Sequence, residues 1–66
     1  MTPYPTPTPL LTAKQTATWL ATSEAALSQL RYRGEGPAYV QLGRAVRYRV
    51  TDVEDFIDAA VVRTSR

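Results

Sequence analysis

Between Leu20 and Ser23 the chain has only two residues, Ala21 and Thr22, in which to end one helix and begin another. This junction restricts the fold more than any other feature. Upstream, Thr12-Ala13-Lys14-Gln15 has the form of a capping box, with Thr12 capping the first turn and the Gln15 side chain reaching back. Ala13, Ala17 and Leu20 then recur at i, i+4 and i+7, one apolar stripe on a helix of about eight residues. Thr16 and Thr18 fall off that stripe and Trp19 lies at its edge, where it reads as a packer of the core or its rim in preference to a base-stacking residue. Downstream, Ser23 is a good N-cap residue and Glu24 sits in the first turn, where the helix dipole favours an acid. This second helix runs from Glu24 to about Arg33 and stops at Gly34, which can take the left-handed C-terminal position. Two short helices joined so tightly describe a helix-turn-helix.

The second helix turns Leu27 and Leu30 inward, so at about 100° per residue its opposite face carries Ala25, Ser28, Gln29 and Tyr32. Small, hydrogen-bonding and aromatic side chains without acids suit entry into a groove. After the break at Gly34-Glu35-Gly36-Pro37, residues Ala38 to Leu42 and Val46 to Val50 alternate with the period of strands. Gly43-Arg44-Ala45 makes the turn between them, and Val40 and Leu42 are expected to face Val46, Tyr48 and Val50. Arg47 and Arg49 then project from the other face with Arg44 at the tip, which makes a basic hairpin, or wing. Thr51-Asp52-Val53-Glu54 reads as a second capping box. It opens a helix whose inner stripe is Val53, Phe56, Ile57, Ala60 and Val61, and whose outer face holds Glu54, Asp55 and Asp58. Val62 falls on that polar face, so either the helix has frayed there or a partner covers it. The expected class is α+β, mainly α: a winged helix-turn-helix over residues 10–62, with a proline-rich leader over 1–9 and a tail over 63–66.

Composition narrows the function. Sixty-six residues make one domain, and a domain so small buries only about 60% of its extended surface, too little for a deep catalytic pocket. The chain has no cysteine and no histidine, so disulfides and a zinc site of ordinary ligand type are excluded and packing alone must hold the core. The same absences remove the usual base near neutral pH and the thiol nucleophile, and no enzymatic activity is expected. Asp52, Glu54, Asp55 and Asp58 lack the glycine turn and spacing of a calcium loop. They read as a solvated face rather than a metal site, and no cofactor is expected. Gly34-Glu35-Gly36 is followed by proline and a strand, so it is no phosphate-binding loop of the glycine-rich type that opens a helix. No apolar run approaches the roughly 18 residues of a membrane span, and the N-terminus lacks the blocks of a signal peptide, so a cytoplasmic location is expected. The leader places a proline at every second position from Pro3 to Pro9, which favours polyproline II. A disordered leader suits it better than a PxxP docking ligand does.

Charge points to the partner. Five arginines stand between Arg31 and Arg49 against one acid, Glu35, whereas Thr51 to Val62 hold four acids and no base. A modest net charge of +2 therefore conceals a strongly dipolar surface suited to a polyanion. Double-stranded DNA is the expected partner, with the second helix in the major groove and the wing on phosphates or the adjoining minor groove. Gln29 is the candidate for bidentate adenine readout, Ser28 and Tyr32 for lesser base or phosphate contacts, and Ala25 for a thymine methyl. Arg31 and Arg33 flank the groove, Arg44, Arg47 and Arg49 supply charge from the wing, and Lys14 touches the backbone. Glu24 either accepts from a cytosine amino group or serves the helix dipole. The plainer alternative for strand arginines is edge protection, because charge discourages strand addition.

These residues resemble the excisionase family of small winged helix-turn-helix proteins, related in fold to the DNA-binding part of MerR-type regulators. The likeness covers about residues 10 to 60. It rests on Leu10-Leu11-Thr12 opening the first helix, Ser23 capping the second, Leu27 and Leu30 within it, the run from Tyr39 to Arg49, and the acidic Asp52-Val53-Glu54-Asp55-Phe56-Ile57 helix. The Leu-Gly-Arg turn and Arg-Tyr-Arg strand are its most specific parts. Membership implies a recombination directionality factor that binds repeated sites in attachment DNA, bends it by cooperative self-association, and helps an integrase excise a prophage in a bacterial cell. Small transcriptional regulators share the pattern, and a protein-binding adaptor using the acidic helix or the leader is the reading from another class. Many relatives have glycine where Ala21 stands, a position that needs a left-handed backbone. Many also carry arginine or tyrosine where this chain has Ser28 and Gln29.

Overall fold

Leu10 to Thr12 are extended, so the chain enters as a strand rather than as the opening of a helix. The computed structural model describes residues 10–64; the proline-rich leader and the last two residues of the tail lie outside the described residues. The elements are β1 (Leu10–Thr12), α1 (Ala13–Trp19), α2 (Glu24–Arg33), β2 (Val40–Leu42), β3 (Ala45–Arg49) and α3 (Val50–Ala60). The strands form one antiparallel sheet in the order β1-β3-β2, so the hairpin wing gains a third strand and β3 becomes central.

Local signals place both helices of the motif. The Thr12 hydroxyl accepts from the Gln15 N–H at 3.0 Å, and the Gln15 side chain accepts from the Thr12 N–H at 2.9 Å, which closes the capping box at the end of β1. Ser23 caps α2 by accepting from the Ala26 N–H at 3.0 Å. Both helices end in a Schellman motif. In α1 the Thr22 N–H bonds the Ala17 carbonyl and the Ala21 N–H that of Thr18; in α2 the Glu35 N–H bonds the Leu30 carbonyl and the Gly34 N–H that of Arg31. The left-handed residue is Gly34 (φ 70°) in α2 but Ala21 (φ 57°) in α1, the only non-glycine residue with positive φ among those described. A Cβ in that region is strained, and glycine's greater freedom in the unfolded chain offsets part of the relief. Ala21→Gly is therefore expected to stabilise the domain by about 0.5–1 kcal/mol, read as a rise of a few degrees in the thermal midpoint. An unchanged or lower midpoint would show that the turn relaxes the strain elsewhere.

The core is small: Ala17, Leu27, Tyr48 and Val53 are buried, and Leu11, Ala13, Leu20, Leu30, Val46 and Ile57 pack against them. Thr16, expected off the apolar stripe, is instead fully buried. Its hydroxyl donates to the Thr12 carbonyl at 2.9 Å, which meets the cost of taking it out of water. Trp19, expected at the core or its rim, is 42% exposed and takes no part in the core cluster.

Four expectations about the wing and its following helix are corrected. The strands are Val40–Leu42 and Ala45–Arg49 rather than 38–42 and 46–50, leaving Gly43 and Arg44 as a two-residue turn. The register pairs Val40 with Arg47, Gln41 with Val46 and Leu42 with Ala45. Directly paired residues share a face, so Val40 and Leu42 lie with the arginines, and Gln41 lies with Val46 and Tyr48. The apolar residues nearest a hairpin tip thus extend beyond the small core, and Leu42 is 52% exposed. Thr51 caps nothing: α3 begins at Val50, its N-cap is Arg49, and no side chain caps it. The alternation that made Val50 a strand residue masked the helix start. At the other end α3 stops at Ala60, so Val61 and Val62 lie beyond it and exposed, and its buried stripe shortens to Val53, with Phe56 and Ile57 half-buried.

Candidate nucleic-acid interface

The outward face of α2 presents Ala25, Ser28, Gln29 and Tyr32, all exposed, and Tyr32 is 90% exposed. None of the four side chains is engaged in a hydrogen bond with another described residue. The packing of Leu27 against the core fixes the rotation of the helix that exposes them. Glu24, in the first turn, is exposed as well.

Arg31 lies on the inner flank of this helix, about 40° around the axis from Leu27, and is half-buried. Its Nη1 donates to the Tyr48 hydroxyl at 2.8 Å, and its guanidinium lies 5.9 Å from the centre of the Tyr39 ring. The Tyr39 and Tyr48 rings are themselves 6.1 Å apart and tilted by 54°, a geometry aromatic pairs favour. One cation thereby joins the end of α2 to the central strand. Arg33, by contrast, points outward and pairs with Glu35 at 3.2 Å, both side chains more than half exposed.

On the sheet, Arg47 and Arg49 occupy one face together with their partners Thr12 and Leu10 from β1 and Val40 from β2. Their electrostatic states differ. Arg47 is half-buried and donates from Nη1 to the Val46 carbonyl at 2.9 Å, a neutral partner that leaves its charge uncompensated. Arg49 grips Asp52 with two bonds, Nε to Oδ2 at 2.6 Å and Nη2 to Oδ1 at 3.1 Å. The hydrogen bond, and then the charge of Asp52, hold the Arg49 pKa above its ordinary value. Arg44 is exposed at the hairpin tip, where the Gln41 side chain donates to the Gly43 carbonyl at 2.8 Å and braces the turn. Lys14 is exposed on α1, with no ion pair among the described residues. The structure thus brings Arg31 against the wing and sets Arg47 beside Arg49, while Lys14 stands apart on the first helix.

Two participants were not legible in the roles they take. Tyr48 was legible as an inward residue but not as the anchor of a guanidinium 17 residues upstream, since nothing local links them. Asp52 was legible as an acid at a helix start. An arginine three residues before it is the signal that could have revealed the clamp, had the strand been ended at Arg49. The central place of β3 also removes the plainer reading of its arginines. Charges protect open edges, and the edges here are β1 and β2.

The family model described as "Helix-turn-helix domain" matches residues 10–60, which covers every strand and helix described above. No curated protein matches the chain. No helix among the described residues is long and apolar enough to cross a membrane.

Proposed function

The chain belongs to the helix-turn-helix domain family and is a DNA-binding protein of that kind, and from this premise we propose that it is an architectural factor of the excisionase type. In this reading it is no enzyme. It binds double-stranded DNA sequence-specifically, bends attachment sites through side-by-side copies, and assists an integrase in prophage excision. The observation that carries the DNA-contact reading is the uncharged, exposed α2 face with Arg31 on its flank, in no ion pair among the described residues and anchored to the central strand through Tyr48. Arg47 and Arg49 stand on the face of that strand opposite Tyr48. The excisionase role is supported by the resemblance in the Tyr39 to Arg49 run and the acidic helix that follows.

The roles divide by chemistry. α2 enters the major groove with Gln29 against an adenine, Ser28 and Tyr32 beside it, and Ala25 near a thymine methyl. Arg47 and Arg44 neutralise phosphate from the wing and carry no sequence information. Gln29→Ala is accordingly expected to relax preference at about one base pair, costing roughly 1–3 kcal/mol on the preferred site and little on random DNA. Arg47→Ala should weaken both alike. Fluorescence anisotropy against a selected duplex and a scrambled one reads the difference, and equal losses for the two variants on both duplexes would refute the assignment. The excision step is tested separately, by recombination of an attachment-site plasmid by the cognate integrase with and without the protein. Excision that is indifferent to the protein, alongside promoter occupancy, would make it a small transcriptional regulator instead.

A further inference from the structure

We infer that the cleft between the end of α2 and the start of β2 is a preformed seat for one DNA backbone phosphate, with the Arg31 guanidinium as its cation; this rests on the DNA-binding reading and deepens it. The cleft encloses about 330 Å³ and is lined by Arg31, Gly34, Gly36, Pro37, Ala38 and Tyr39. Three features of its wall suit an anion. The first is charge without a counterion. The two ion pairs among the described residues join Arg33 to Glu35 and Arg49 to Asp52, so Arg31 has only the neutral Tyr48 hydroxyl and the Tyr39 ring as partners. A half-buried cation held this way retains its full attraction for an anion, in surroundings that screen it less than open water does.

The second feature is preorganisation. The Tyr48 hydroxyl takes one of the guanidinium's five N–H donors and the Tyr39 ring backs its plane, which leaves donors to spare and little side-chain freedom to lose on binding. The third is a supply of neutral donors. The N–H groups of Gly34 and Glu35 are used within the Schellman motif, whereas those of Gly36 and Ala38 have no acceptor among the described residues. Gly36 lets the loop lie against the helix: a Cβ there would meet the Leu30 Cβ at 3.0 Å, so a larger residue would have to push Leu30 back by a few tenths of an ångström. The seat stands at the junction of recognition helix and wing, where a phosphate bordering the major groove passes between the two.

Two variants and one spectrum test this in the full chain. With a short duplex, Arg31→Gln is expected to bind about tenfold more weakly and to flatten the plot of log affinity against log salt by about 0.9, the share of one phosphate. Tyr48→Phe keeps the charge and loses only the anchor, so it should weaken binding a few-fold with the slope unchanged. In the unaltered protein, the amide resonances of Gly36 and Ala38 and the Arg31 side-chain N–H are expected to shift on adding the duplex and return on adding salt. A wild-type slope that survives intact in a folded Arg31→Gln, or amides that stay still while DNA binds, would overturn the seat and leave DNA binding standing. Failure of the wild-type protein to bind any duplex would overturn the reading beneath it. Shifts produced by inorganic phosphate but not by DNA would make the cleft a site for a free anion and overturn the proposal as stated.

Discussion

Replacing Leu27 with alanine is expected to leave the domain largely unfolded at physiological temperature. Leu27 is fully buried and belongs to a core of four buried residues, and truncating such a leucine costs about 2–5 kcal/mol once the unfilled cavity is included. A single core in a chain this short rarely supplies more than about 3–5 kcal/mol, and with no cysteine and no histidine nothing else staples it. The loss therefore approaches the whole stability. Circular dichroism melting of Leu27→Ala beside Leu27→Met separates cavity from chemistry, because the methionine fills most of the volume at a cost below about 1.5 kcal/mol. An alanine variant that melts within a few degrees of the parent would mean that the core is not where the packing places it. The same substitution should abolish DNA binding, since Leu27 sets the rotation of the helix that presents Gln29.

The second large effect is on salt dependence. Counting all six cations considered for DNA contact, Lys14 and five arginines, gives a slope of log affinity on log salt of roughly −5.4 at −0.9 per neutralised phosphate. Arg33 and Arg49 are already paired with carboxylates of their own chain. Lys14, Arg31, Arg44 and Arg47 remain, and the expected slope is about −3.6. Raising salt from about 50 to about 200 mM should then weaken binding by about 150-fold. Asp52→Asn releases Arg49 and is expected to steepen the slope by about 0.9 while strengthening binding at low salt. A slope near zero in the parent would argue against the arginine surface altogether, and an unchanged slope in Asp52→Asn would show that Arg49 faces no phosphate.

The two halves of the fold were legible to different degrees. The helix-turn-helix could be read almost residue by residue because its signals are local: a hydroxyl or amide three residues from the N–H it binds, and a left-handed residue after the last turn. Ala21 was expected in the left-handed region only through the resemblance, since many relatives have glycine there, and it does take positive φ. The sheet was harder. β1 is three residues long and contributes one inward side chain, Leu11, too little for periodicity to register. Its strand character comes from pairing with β3 some thirty-seven positions later. The hairpin register failed for a related reason. Alternation shows which residues share a face within a strand, while which face meets the core is set by the turn, and a two-residue turn pairs Leu42 with Ala45 and sends both away from Val46. The candidate site divides in the same way. The exposed face of α2 follows from Leu27 and Leu30, whereas the partners of Arg31 and Arg49 depend on tertiary placement.

Because Leu10 pairs with Arg49, a label joined directly to Leu10 in place of the residues before it would issue beside the arginine ribbon and jostle whatever docks there. α3 carries the other end about 15 Å from that ladder, so a fluorophore or affinity handle fused behind the acidic helix is the arrangement that leaves a binding measurement undistorted.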